Sequence, residues 1–293
     1  MTQYKLGHDL RVKYAQRLLS APPQPQSLVT TTNLDPCWPD FYPGDNNGYL
    51  NLYSLANAGD PWQGVILKVN QGLNPNFAST ASGWLQQYWA VARSTWGGRY
   101  GLTGFRGGYS YVMIGEDGRK QGDYYCDLID QCGGWGDGDF WPILDVESAG
   151  QPANATNQQI IDTVSSMAER ITQRTGRMIM RYSGSYIRDR QIRNAMGCKL
   201  LWVADWEKTL NSHTYLDQGY TLTPTPGSFG LCIAWQGVGD GHGSWTGYPT
   251  TAPVGKGGAQ VPCDVSAGIV LGGADPVKVS SWISSHLGGQ LTA

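Results

Sequence analysis

The sequence predicts an α/β protein built as a single (β/α)8-like barrel, allowing for irregular units, behind an N-terminal helical arm. Three observations predict this. From residue 27 onward, segments rich in Val, Ile and Leu alternate with segments of helical period, the pattern of a parallel sheet covered by helices. Eight strand segments can be counted, and 293 residues suit one barrel. Acids recur at or near the ends of those strands, the end at which such barrels carry their chemistry.

Taken in order, residues 1–20 carry Leu6, Leu10, Tyr14 and Leu18 at four-residue steps, an amphipathic helix signal. Ala21-Pro22-Pro23-Gln24-Pro25-Gln26 reads as a stiff linker. The division is thus an arm with linker, residues 1–26, and a barrel domain, residues 27–293. The arm either docks on its own domain or binds a neighbouring subunit or assembly. The β-branched run Ser27–Asp35 predicts the first strand. A short helix over Gly48–Ala58, a strand over Gly64–Gly72 and a helix over Ser79–Trp96 follow. A strand within Leu102–Val112 and a helix over Gly122–Gln131 come next. Phe140–Glu147 predicts the fourth strand. Asn157–Thr175 is the clearest helix, with Ile160, Val164, Met167 and Ile171 on one face, and Gly176 ends it. Met178–Ser183, Lys199–Trp206, Leu231–Gly237 and Cys263–Ser266 complete the strands. Helices are expected over Ser185–Met196 and Asp275–His286.

Composition excludes several classes. Only 15% of residues are charged, the formal net charge is −2 and no basic run exists, which argues against nucleic-acid binding. The six Cys form no CxxC pair and only four His occur, so a zinc site has little support; nothing requires a metal or an organic cofactor. Cys126 and Cys132 are a potential bridge or two buried thiols. Met1–Leu10 lacks an apolar leader core, and no apolar run reaches membrane-spanning length. The expectation is a soluble protein, released by something else if it acts outside its cell of origin.

Four segments place acids where a barrel would use them: Asp35, Asp145 with Glu147, Asp205, and Asp264. In a strand, Asp145 and Glu147 point the same way, with α-carbons roughly 6.5–7 Å apart. Paired carboxylates in unlike environments titrate apart and so supply both an acid and a base or nucleophile. An exposed acidic loop after a core strand is the plainer reading of that tripeptide alone. The convergence of the four segments favours chemistry, and glycoside cleavage needs such equipment. Trp38, Tyr109, Tyr111, Trp202, Trp206 and Trp235 would suit sugar faces, with core packing as the alternative for each.

The ordered motifs resemble glycoside hydrolase family 25, the Chalaropsis-type lysozymes of bacteria and their phages. The resemblance runs along residues 29–270: Asn33-Leu34-Asp35, Lys68 to Gly72 in a K-x-x-x-G strand, Gly107-Gly108-Tyr109-Ser110-Tyr111, Pro142-Ile143-Leu144-Asp145-Val146-Glu147 in the P-x-x-D-x-E signature, Leu201-Trp202-Val203-Ala204, Ala234-Trp235-Gln236, and the late Asp264. It implies hydrolysis of the β-1,4 bond between N-acetylmuramic acid and N-acetylglucosamine in peptidoglycan. Glu147 would be the general acid, its pKa raised by burial or neighbouring charge. Asp145 would stabilise the developing cation or orient the substrate acetamide, with Asp35 and Asp264 lining the same groove. Tyr109, Tyr111, Trp202, Asp205, Trp235 and Gln236 are the expected substrate contacts.

The departures are Pro36-Cys37-Trp38-Pro39-Asp40 after Asp35, Ser110 where His is common, Asp205 where Tyr or another residue is usual, a long loop between Gly237 and Val261, and the N-terminal arm. Two readings follow. One is a muramidase, either an endolysin held in the host cytoplasm until lysis or a virion-associated lysin acting on the cell wall. The other is a non-catalytic virion or glycan-binding protein assembled through residues 1–26.

Overall fold

The computed structural model describes residues 37–58, 62, 64–96, 105–136, 139–206, 212–221, 226–239, 241 and 249–268. The arm, Ser27–Asp35 and Asp275–His286 lie outside them.

Eight strands close into a barrel. They are β1 (Cys37–Phe41), β2 (Gly64–Gln71), β3 (Phe105–Tyr111), β4 (Ile143–Asp145), β5 (Met180–Ser183), β6 (Leu200–Ala204), β8 (Gly230–Val238) and β11 (Asp264–Gly268). Neighbours pair in that order, and β11 closes the sheet by pairing with both β8 and β1. The short β7 (Tyr220–Thr221) pairs with the start of β8, at Gly230 and Leu231, below the point where β11 takes over that edge. A small hairpin, β9 (Thr251–Ala252) with β10 (Val261–Pro262), fills part of the long loop before β11.

The expected all-parallel barrel needs one correction. Strands β1 to β6 and β8 run parallel, but β11 is antiparallel to both neighbours. The barrel also opens on Cys37–Phe41, a segment that its two nearby prolines hide, since proline is disfavoured inside sheets. Pro39 stands opposite Val265 of β11 and outside the β2 ladder, which pairs Asp40 and Phe41 of this strand.

The helices are α1 (Leu52–Asn57), α2 (Pro75–Trp96), α3 (Gly118–Gln131), α4 (Asn157–Thr175), α5 (Ser185–Asp189) and α6 (Ser212–Leu216). In α4, Thr156 and Gln159 form a reciprocal capping box and Gly176 closes the helix in the left-handed conformation, which is why both ends are legible. Its Ile160, Val164, Met167 and Ile171 are fully buried, each contributing roughly 1.5–3 kcal/mol. The helix expected over Ser185–Met196 stops at Asp189, because Gln191 takes a φ of 55° and Met196 one of 51°, which a continuing helix does not permit.

Two apolar layers result. The outer one joins strand residues such as Val65, Leu67 and Val69 to the helices. The inner one fills the barrel with Trp38, Ile66, Phe105, Phe140, Ile143, Met180, Leu200, Trp202 and Ile233. Phe105 stacks on Phe140 with centroids 4.7 Å apart, and Trp38 meets both at 5.2 and 5.5 Å. Gly107 makes room for these rings, since a Cβ there would lie 2.4 Å from Ile66 Cδ1. A buried bidentate pair, Arg106 with Asp139 at 2.8 and 2.9 Å, ties β3 to the approach to β4. The same guanidinium donates to the Trp89 carbonyl and lies 4.0 Å over the Trp89 ring, so α2 is held as well.

Helices α3 and α4 approach closely at Gly118, where an added Cβ would come 2.2 Å from the Thr163 carbonyl oxygen. Because backbone cannot swing aside, Gly118→Ala should destabilise the fold by about 1–3 kcal/mol, as overpacking does. Urea unfolding would read this as a lower midpoint with an unchanged slope.

Candidate active site

Alternation of side chains along each strand builds the site. The inward positions form an aromatic floor and, two residues further on, a polar rim. Thus β1 follows Trp38 with Asp40, β2 follows Ile66 with Lys68, and β3 runs on to Tyr109 and Tyr111. β4 follows Ile143 with Asp145, β5 Met180 with Tyr182, β6 Leu200 with Trp202, and β8 Ala234 with Gln236. Because β11 runs the other way, its first residue, Asp264, reaches the same rim and lies directly across from Asp40 in the β1–β11 register. The rim residues Asp40, Lys68, Tyr109, Tyr111, Asp145, Tyr182, Trp202, Gln236 and Asp264, with Tyr42 and Glu147, line a cavity of about 180 Å3.

The segment beyond β4 is held in place by backbone bonds: Val112 N–H donates to the Asp145 carbonyl, and Val146 N–H to the Tyr182 carbonyl. Ser183 Oγ also donates to the Val146 carbonyl at 3.1 Å. Val146 is therefore buried outward, while Asp145 and Glu147 both face the cavity. Asp145 is 6% exposed, and its Oδ1 has no hydrogen-bond partner among the described residues.

Burial raises the Asp145 carboxyl well above the usual carboxylate range; Glu147 adds to the rise and Lys68 opposes it. Burial likewise raises Asp40, helped by Asp264 and opposed by the Gln236 amide. Lys68 is lowered by burial, with Asp145 and Glu147 favouring its charge. Its ammonium lies 5.0 Å from the Tyr111 ring centroid and 5.8 and 5.9 Å from those of Tyr109 and Tyr42. Four carboxylates and one ammonium over an apolar floor make a site that holds protons readily.

Of the residues singled out from sequence, Asp145, Glu147, Asp264, Tyr109, Tyr111, Trp202 and Gln236 come together here. Asp35 lies outside the described residues, and the acid contributed by β1 is Asp40. Asp205 and Trp235 do not reach the cavity. Each follows an inward residue, Ala204 or Ala234, and so points outward. Asp205 accepts from the Thr214 hydroxyl at 2.9 Å, and Trp235 donates its indole N–H to the Asp205 carbonyl. Trp38 is floor, 1% exposed. Trp202, 2% exposed, donates its N–H to Ser266 Oγ, which leaves it as the bottom of the cavity. Sequence reasoning missed Asp40, Tyr42 and Tyr182, and it met Lys68 only as part of a strand motif, with no role in the site. Asp40 was findable, since it stands two residues after a core tryptophan. The six Cys carry no disulfide: Cys126 and Cys132 are both thiols.

Asp40 supplies a test of this electrostatic picture. Folded Asp40 keeps its proton at pH values where the unfolded chain, titrating near 3.8, has lost it. Stability therefore falls as pH rises from the unfolded value towards the raised folded one. Asp40→Asn removes the charge, still accepts from Gln236 and adds a donor toward Asp264. It should raise the unfolding temperature at pH 7 by about 2–4 °C, roughly 1 kcal/mol, and the gain should vanish below pH 3.8, as calorimetry across pH would show.

The sequence pattern described as Glycosyl hydrolases family 25 matches residues 77–223, half of the chain. The match includes Asp145 and Glu147. A muramidase from Trichobolus zukalii has a similar structure, with a TM-score of 0.54 at 16% identity over 85% of this chain and 99% of that one. A family 25 glycosyl hydrolase from Bacillus anthracis gives 0.52 at 13% identity over 86% and 96%. The catalytic domain of endolysin ply40 from bacteriophage P40 of Listeria monocytogenes gives 0.52 at 14% over 87% and 99%. At such identities the likeness is one of fold. No curated protein sequence matches. With the signature carboxylates gathered at the rim of a closed barrel and the family pattern running through them, the chain belongs to glycosyl hydrolase family 25 and is a glycoside hydrolase.

Proposed function

We propose that this protein is a muramidase that hydrolyses the β-1,4 bond between N-acetylmuramic acid and N-acetylglucosamine in bacterial peptidoglycan. The observation that carries the reading is the pair Asp145 and Glu147 facing one cavity with Asp40 and Asp264. The cavity is smaller than the roughly 300–1,000 Å3 of an enclosing ligand pocket. A glycan strand would therefore lie across the rim with only the reacting linkage inside.

Glu147, half-buried at the outer edge of the cavity, is the general acid that protonates the leaving oxygen. Asp145 lies deeper. Its partnerless Oδ1 has acceptor capacity for a substrate acetamide N–H, and its charge would stabilise the oxocarbenium-like transition state. Lys68 favours the ionised form of Asp145, against the rise that burial and Glu147 impose. Asp40 takes the groove-lining role expected of Asp35, opposite Asp264.

We place the protein among phage lysins, as an endolysin or a virion-associated lysin acting on the bacterial wall, with residues 1–26 as its attachment to neighbouring virion proteins in the second case. The likeness to a phage endolysin catalytic domain supports this. The likeness to the autolysin LytC of Streptococcus pneumoniae, solved with a synthetic peptidoglycan ligand, whose chain this one covers by 48%, supports peptidoglycan as the substrate.

Release of reducing sugar from purified Gram-positive walls tests the reading. Wild type should cleave at least one wall. Glu147→Gln should stay folded and lose about 100-fold or more of the rate, the worth of a general acid. A wild type inert on every wall would sink the catalytic reading and leave the glycan-binding one.

A further inference from the structure

Gln236 lines the cavity yet is only 1% exposed. Its Nε2 donates to Asp40 Oδ2 at 3.1 Å and to Asp264 Oδ2 at 3.3 Å. Its Oε1 accepts from the Tyr182 hydroxyl at 2.6 Å and from the Trp206 indole N–H at 3.2 Å. A primary amide has two donor hydrogens and two acceptor lone pairs, so this side chain is fully used. Its orientation is dictated by chemistry. Turned over, the oxygen would face two carboxylates and the NH2 would face an indole N–H that cannot accept. The backbone is pinned as well, opposite Ala204 of β6 and Ser266 of β11, with its carbonyl accepting from Asp205 N–H.

Trp206, one residue beyond Asp205, forms the other end of this network. It is 54% exposed. A Cβ on Gly239 would come within 2.5 Å of its ring, so the indole lies against backbone that only glycine leaves open. Its edge is tied to Gln236 and much of its surface meets solvent.

We propose that Gln236 is a positioning residue, an amide clamp that yokes the Asp40–Asp264 carboxylate pair to Trp206, and that Trp206 is the platform for a sugar ring bound beside that pair. The platform rests on the reading of the site as one that takes glycan. Adjacent carboxylates share protons as a unit, and the clamp offers each an N–H, which favours the ionised form. The other groups facing Asp40 are Asp264 of β11 and Cys263 just before it, Asp45 after β1, Lys68 of β2, Tyr109 of β3, Asp145 of β4 and Tyr182 of β5, with Glu147 beyond β4 on the same cavity. Gln236 is the side chain that hydrogen-bonds Asp40 among these described residues.

Carboxyl NMR of the folded protein, without substrate, tests the clamp. Gln236→Met keeps the length and removes the amide. It should move the Asp40 titration up by about one unit, the worth of a hydrogen bond to a charged group. An unchanged titration in the folded variant overturns the clamp, whether or not the enzyme cleaves walls. In an active enzyme the same variant should lower kcat about 10–100-fold with KM within about threefold. Gln236→Glu should regain activity as pH falls, because only the neutral acid both donates and accepts; a purely structural role would not produce that profile. For the platform, calorimetry with a peptidoglycan tetrasaccharide should find Trp206→Ala weaker by about five- to tenfold. Equal affinity, or no binding by wild type, overturns it.

Discussion

The rim of this barrel depends on the direction of its last strand. A final strand parallel to the rest would carry its first residue to the floor end, away from the acids. Because β11 runs antiparallel to β1 and β8, it begins at the rim, and Asp264 lies across from Asp40. Closure and site assembly are therefore one event: the hydrogen bonds that remove the sheet edge also bring two carboxylates together. The juxtaposition opposes folding at neutral pH, since burial and mutual repulsion both disfavour charge. The amide of Gln236, directed at both acids, offsets part of that cost.

Below the acids the barrel is filled by aromatic rings interleaved with Ile66, Ile143, Leu200 and Ile233. Trp38, Phe105 and Phe140 pack edge-on and stacked, and Tyr182 meets Trp202 at 4.8 Å. These rings exclude water from the underside of the carboxylates, which strengthens every charge interaction above them. The Trp202 N–H is taken by Ser266, and the Tyr182 hydroxyl donates to Gln236 at the rim. The floor thus positions the rim as well as supporting it. Lys68 completes the balance, its charge partly offsetting that of the acids while three tyrosine rings surround its ammonium.

Local signals carried much of the architecture. The apolar face of α4 and the closing Gly176 made that helix readable, and strand alternation placed Asp145 and Glu147 on one side before any fold was known. Other features escaped for identifiable reasons. The prolines beside β1 concealed a strand, and with it Asp40. Asp205 and Trp235 stand at strand ends in a pattern that matches the functional acids and aromatics, yet they face outward.

The sequence by itself determined the strand–helix alternation, the acidic strand ends and the family signature, because helical period, capping and strand alternation are properties of neighbouring residues. The tertiary structure alone decided which face of each strand looks inward, that the last strand reverses, and that Gln236 joins Asp40 to Asp264 across 196 and 28 residues of chain. Those outcomes depend on register and closure, where a shift of one residue exchanges the faces of a strand. No local signal records that choice.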